Sequence, residues 1–101
     1  MSRLVFLGTR DLLFRSKLAR VVAAAGAELT RDEAACDLAV LETEQAELTD
    51  RIKTLVARGT PVLAYGSHVR ADLLRTAREA GAVAVPNSQV EERLRGLLET
   101  T

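Results

Sequence analysis

The chain has 101 residues, of which 48% are hydrophobic, and its 14 basic and 14 acidic side chains cancel. That length bounds it to one domain with a single modest core, and without a charge excess there is no electrostatic drive toward nucleic acid or an anionic membrane. Aromatic residues, at 3%, are too few for a base-stacking surface.

One cysteine forms no internal disulfide, which suits a reducing cytoplasm. No stretch is long enough to span a bilayer. Residues Met1 to Gly8 lack the long apolar core and cleavage site of a signal peptide.

In chain order, Arg3 to Leu7 reads as a first strand with Gly8-Thr9-Arg10 as its exit. Asp11 opens a helix as N-cap or first-turn acid. Phe14, Leu18, Val21, Val22 and Ala25 recur with helical spacing, and Gly26 ends that helix. Ala27 to Thr30 is a short second strand. The segment to Ala35 is too short for a full crossover helix, so either one helical turn bridges it or the second strand is peripheral.

The central strand, Asp37 to Leu41, is a short apolar run that stops on Glu42, the pattern of a strand buried on both faces. Leu48, Ile52, Leu55 and Val56 stripe the next helix, most of it over Thr49 to Arg58, and Gly59 ends it. Pro61 to Tyr65 is the fourth strand, with proline tolerated at its first residue, and Gly66-Ser67-His68 is its exit. Val69, Leu73, Leu74, Ala77 and Ala80 stripe a helix that ends at Gly81. Ala82 to Val85 is the fifth strand, Pro86-Asn87-Ser88 its exit, and Val90, Leu94, Leu97 and Leu98 stripe the last helix.

This alternation predicts an α/β, three-layer, flavodoxin-like domain over 1–101, with a five-stranded parallel sheet of order 2-1-3-4-5 and a reduced second crossover helix. In that order the crevice lies at the carboxyl ends of strands one and three. Gly8, Thr9, Arg10, Asp11, Glu42, Thr43 and Glu44 line it. Gly66, Ser67 and His68 flank it, and Asn87 lies further along.

Asp37-Leu-Ala-Val-Leu-Glu42, Pro61-Val-Leu-Ala-Tyr65 and Ala77-Arg-Glu-Ala-Gly81-Ala carry a resemblance. The chain resembles the receiver domains of bacterial response regulators over nearly its whole length. That resemblance implies an Asp phosphoacceptor after strand three, two magnesium-binding acids after strand one, a Ser or Thr after strand four and a Lys after strand five. Here Glu42 takes the phosphoacceptor position, Gly8 and Thr9 stand where the metal acids should be, Gly66 stands near the hydroxyl with Ser67 next to it, and Pro86-Asn87 stands where a Lys-Pro pair should be. Magnesium wants several hard oxygens in octahedral geometry, which Glu42 and a displaced Asp11 do not supply. The expectation is therefore a non-catalytic pseudo-receiver in a bacterial cytoplasm, with no metal, no cofactor and a protein partner or self-association. The resemblance also implies a self-association surface, with Arg70, Arg75, Arg78 and the polar face of the last helix as candidates; Tyr65, at the end of the fourth strand, reads either as a half-exposed aromatic at an interaction surface or as core packing.

Two readings of Glu42 stay open: a permanent charge holding the neighbouring exit loops, or a solvated carboxylate at a strand end. The alternative function is a small-anion or nucleotide site, with backbone N–H groups at Gly8–Asp11 as donors. Ser67 and His68 are adjacent in the chain, which rarely presents a nucleophile to its base, and no third group is indicated. Cys36 reads as a buried structural thiol.

Overall fold

The computed structural model describes residues 3–99. Its elements are β1 (Leu4–Gly8), α1 (Leu12–Ala24), β2 (Glu28–Thr30), a 3₁₀ turn (Glu33–Ala35), β3 (Leu38–Glu42), α2 (Leu48–Ala57), β4 (Val62–Gly66), α3 (Ala71–Ala80), β5 (Val83–Pro86), a 3₁₀ turn (Asn87–Gln89) and α4 (Val90–Glu99). The strands form one parallel sheet of order β2-β1-β3-β4-β5, as the alternation predicts.

Side chains alternate across each strand, and this divides the core in two. Val5, Leu7, Leu38, Val40, Leu63, Tyr65 and Val85 meet Leu18, Val21 and Val22 of α1 and Val90, Leu94 and Leu98 of α4. On the other face Ala39, Leu41, Val62, Ala64 and Ala84 meet Leu48, Ile52 and Leu55 of α2 and Leu74 and Ala77 of α3. The four residues Leu38 to Leu41 are all fully buried, which explains an apolar run without polar alternation. Asp37, just ahead of that run, ties the start of β3 to β1: its carboxylate accepts from Leu4 N–H (2.8 Å), and its own N–H donates to the Leu4 carbonyl (2.7 Å).

The connection from β2 to β3 combines both alternatives the sequence left open. A single 3₁₀ turn, capped by Asp32 through Ala34 N–H, replaces the crossover helix, and β2 is a three-residue edge strand. Two arginines of the α2 segment hold that turn. Arg51 forms a fork on the Glu33 carboxylate (2.6 and 3.3 Å) and also donates to Gln45. Arg58 donates to the Glu33 carbonyl at 3.1 Å. Cys36 is buried, as expected, and that burial raises its thiol pKa against the opposing pull of Arg58.

Three apolar positions depart from the predicted stripes. Val69 is 74% exposed and lies in a turn, because the Arg70 N–H bonds the Ser67 carbonyl and α3 starts only at Ala71. Ala25 is the exposed C-cap of α1 rather than a core residue. Val56 is 38% exposed, at the margin of its helix's apolar face. Gly81 stands at φ 114 after α3, the left-handed C-terminal position that glycine takes without a Cβ penalty.

Candidate functional site

The exits of β1, β3, β4 and β5 converge on a cleft of about 200 Å³ at the carboxyl edge of the sheet. It is lined by Asp11, Phe14, Glu42, Thr43, Glu44, Tyr65, Gly66, Ser67 and Asn87. The sheet register explains its floor. Glu42 pairs with Tyr65, so both face α1, and the Phe14 and Tyr65 rings meet at 5.4 Å with a 43° tilt.

Glu42 is the centre of a closed hydrogen-bond array. Its Oε1 accepts from the Thr9 hydroxyl and from Arg10 N–H (2.9 Å). Thr9 Oγ1 in turn accepts from the Tyr65 hydroxyl and from Asp11 N–H (3.3 Å). A threonine hydroxyl has one proton and two lone pairs, so Thr9 uses its full capacity here. The Tyr65 oxygen also stands 3.4 Å from Glu42 Oε1. Burial pushes the Tyr65 phenol well above its ordinary pKa; the Thr9 bond opposes this, and the negative Glu42 adds to it.

Asp11 is the N-cap of α1, accepting from Leu13 N–H (2.9 Å) and Phe14 N–H (3.2 Å) through one oxygen. These bonds bear on the alternative reading, an anion cradle at Gly8–Asp11. Three of the donors such a site would use are engaged by the chain's own carboxylates: Arg10 N–H by Glu42, and Leu13 and Phe14 N–H by Asp11. The cleft lining also carries three carboxylates and no lysine or arginine, so its field disfavours an anion.

Of the sequence-predicted crevice, Asp11, Glu42, Thr43, Glu44, Gly66, Ser67 and Asn87 line the cleft, whereas Gly8, Thr9, Arg10 and His68 do not. His68 is exposed in the turn after β4 and does not line the cleft. Ser67 lines the cleft, but its oxygen accepts from Val69 N–H (3.3 Å), a local turn bond, and no hydrogen bond joins it to His68 among the described residues. Tyr65, a candidate surface aromatic, is 1% exposed: the strand's alternation turns it into the core, with its hydroxyl at the base of the cleft. Of the candidate surface arginines, Arg78 donates to the Ala84 carbonyl at the β5 edge (2.8 Å), Arg70 pairs with Asp72 (3.2 Å) and, at 3.6 Å, with Glu44, and Arg75 is exposed.

Two glycines reveal what sequence reading missed. A Cβ on Gly66 would stand 2.1 Å from Thr43 Oγ1, and one on Gly8 would stand 2.7 Å from Leu41 Cδ2. Neither glycine has a positive φ, so each is explained by close approach rather than by backbone conformation. Larger side chains there would displace packed neighbours. Among the described residues no group of three His, Cys, Asp or Glu side chains is placed to hold a metal ion. Where the resemblance implies two magnesium-binding acids after β1, this chain has Gly8 and Thr9, which bring no carboxylate.

No protein-family model matches the chain, and no curated protein sequence matches it. Solved structures do. A response regulator from Thermotoga maritima superposes with a TM-score of 0.75 at 15% identity, covering 99% of this chain and 100% of the other. The beryllofluoride-activated DrrB receiver domain gives 0.77 at 15% identity, with 98% and 96% covered. A response regulator from Burkholderia multivorans gives 0.70 at 22% identity, with 100% and 98% covered. At these identities the likeness establishes the fold: the chain is built on the receiver-domain, flavodoxin-like scaffold. No described helix is long and apolar enough to cross a membrane.

Proposed function

We propose that the chain is a receiver-like signalling module that works by binding a protein partner and performs no phosphoacceptor chemistry. The observation that carries this is the Glu42 array. A carboxylate at the strand-three exit is bonded by the Thr9 hydroxyl and the Arg10 backbone, with Tyr65 completing the array. Hydrogen bonds to a charged group are worth about 1.5–3 kcal/mol each, so Glu42 fixes the β1–α1 loop in one arrangement. In this reading Glu42 supplies permanently the negative charge that a phosphorylated acid would supply transiently.

The positions that phosphoryl transfer would use support the same reading. Such transfer depends on positioned charges around the reacting group. An acid at position 8 would have to displace the end of the Leu41 side chain, and a hydroxyl-bearing side chain at position 66 would have to displace the Thr43 hydroxyl. Asn87 brings no positive charge to the cleft.

The test is amide NMR of the labelled chain, titrated with Mg²⁺ and then beryllofluoride. Unchanged resonances at Gly8–Asp11, Glu42–Glu44 and Gly66–Ser67 are expected. Saturable shifts confined to those residues on adding beryllofluoride would contradict the proposal.

A further inference from the structure

We infer that the acidic, aromatic-floored cleft and the exposed leucines beside it form the docking site for a basic segment of a protein partner. An Arg or Lys side chain would enter the cleft while an adjacent apolar residue covers Leu12 and Leu13. The inference rests on reading the domain as an interaction module, and it specifies the partner's chemistry.

Charge decides what enters. The lining holds Asp11, Glu42 and Glu44 and no basic side chain. The three hydrogen bonds to Glu42 side-chain oxygens, from Thr9, Arg10 and Tyr65, all fall on Oε1, which leaves Oε2 without a partner among the described residues. Thr43, 3% exposed, lines the same cleft, and its hydroxyl has no hydrogen-bond partner among those residues. Phe14 lines the cleft, and the chain's own Lys17 ammonium stands 5.8 Å from its ring centroid, the attraction that a ring face offers a cation. Glu44 faces Arg70 at 3.6 Å, but both side chains are largely exposed (67% and 47%), so a partner's cation can take over that weak pair.

Size and surroundings decide where the cation comes from. At about 200 Å³ the cleft holds roughly six waters. That suits the head and upper stem of one side chain and falls below the ~300–1,000 Å³ of ordinary small-molecule sites. Among the described residues six large apolar side chains are more than a third exposed, and three of them lie within two residues of a cleft residue in the chain: Leu12 (79%) and Leu13 (64%) after Asp11, and Val69 (74%) after Ser67. A free amine would leave these uncovered. A basic residue with an apolar neighbour would cover them.

The test is an amide NMR titration of the full chain with four probes: acetyl-Leu-Arg-amide, agmatine, Mg²⁺ and inorganic phosphate. The dipeptide should give saturable shifts at Asp11–Phe14, Glu42–Glu44 and Ser67–Val69. It should bind about threefold or more tighter than agmatine, the effect of burying roughly 25 Å² of apolar surface, and raised salt should weaken it. Leu13→Ser should remove the advantage over agmatine, and Glu44→Gln should weaken both. Equal binding of agmatine and dipeptide would overturn docking in favour of a free cation site, and Mg²⁺ saturating the same residues would overturn it in favour of a metal site. Phosphate binding would overturn the charge argument. A concentration-dependent dimer that protects Leu12 and Leu13 would replace the foreign partner with a second copy. No shift with any probe would overturn the docking site alone, since the beryllofluoride titration judges the pseudo-receiver reading separately.

Discussion

Gly66→Ala would ordinarily be a mild stabilising change. The φ at Gly66 is not positive, so alanine suits the backbone, and reduced freedom of the unfolded chain would add about 0.4–1 kcal/mol. The structure predicts the opposite. The new Cβ would lie 2.1 Å from Thr43 Oγ1 and 3.2 Å from Thr43 Cβ, and Thr43 is only 3% exposed. Relief requires an unfavourable Thr43 rotamer or a shift of β3 against β4, and overpacking of this kind costs about 1–3 kcal/mol. Set against the entropic gain, the net loss is roughly 0.5–2 kcal/mol, or a fall in Tm of about 3–12 °C for a domain of this size. Thr43→Ala removes the clashing oxygen, so Gly66→Ala should cost less than about 0.5 kcal/mol in that background, while Thr43→Val keeps the branch and rescues nothing. Urea and thermal unfolding of the single and double variants measure the cycle. An equal cost of Gly66→Ala with Thr43 and with Ala at position 43, or a stabilising Gly66→Ala, would refute the close-approach argument.

The other predictions follow from the same contacts. Tyr65 is the only tyrosine and there is no tryptophan, so phenolate absorbance reports it alone; burial should keep it un-ionised past the ordinary midpoint near pH ~10. Because the unfolded chain ionises first, stability from this group is complete below about pH 10 and falls as pH rises toward the folded pKa; a folded midpoint near 10 would contradict the burial. Tyr65→Phe should cost about 0.5–1.5 kcal/mol by deleting the bond to Thr9, read by urea unfolding. Asp11→Ala should cost about 0.5–2 kcal/mol through loss of the α1 cap, with Asp11→Asn nearly neutral; equal losses in thermal denaturation would count against capping. Arg51→Met should speed amide exchange around Glu33–Cys36, because that turn loses its fork to α2; unchanged exchange there would show the turn holds itself.

The sheet was legible because its physics is local. Apolar runs of strand length, helical stripes and helix-ending glycines alternate so regularly that one topology satisfies them, and Asp11 announced its cap by type and position. The crevice followed from strand order alone. What escaped the sequence depended on register. Tyr65 faces Glu42 only because the last residue of β3 pairs with the fourth residue of β4; the alternation Leu63, Tyr65 along β4 was the available signal. The Thr43–Gly66 contact has no such signal, since a glycine at a strand exit reads as a turn until the neighbouring strand is placed. Leu12 and Leu13 sit at a helix start and Val69 in the turn before one, where spacing does not distinguish a core residue from an exposed one.

The most direct measurement is the intact mass of the chain after incubation with Mg²⁺ and a small-molecule phosphodonor such as acetyl phosphate. It should be made on the native chain and on Glu42→Asp, which restores the acid that the resemblance would require. Both masses should stay unchanged, because Gly8, Gly66 and Asn87 bring no metal-binding acid and no positive charge to Glu42. A phosphoryl adduct on Glu42, or on Asp in the variant, would contradict the account: the cleft would then still position a phosphodonor, and the domain would be a working receiver.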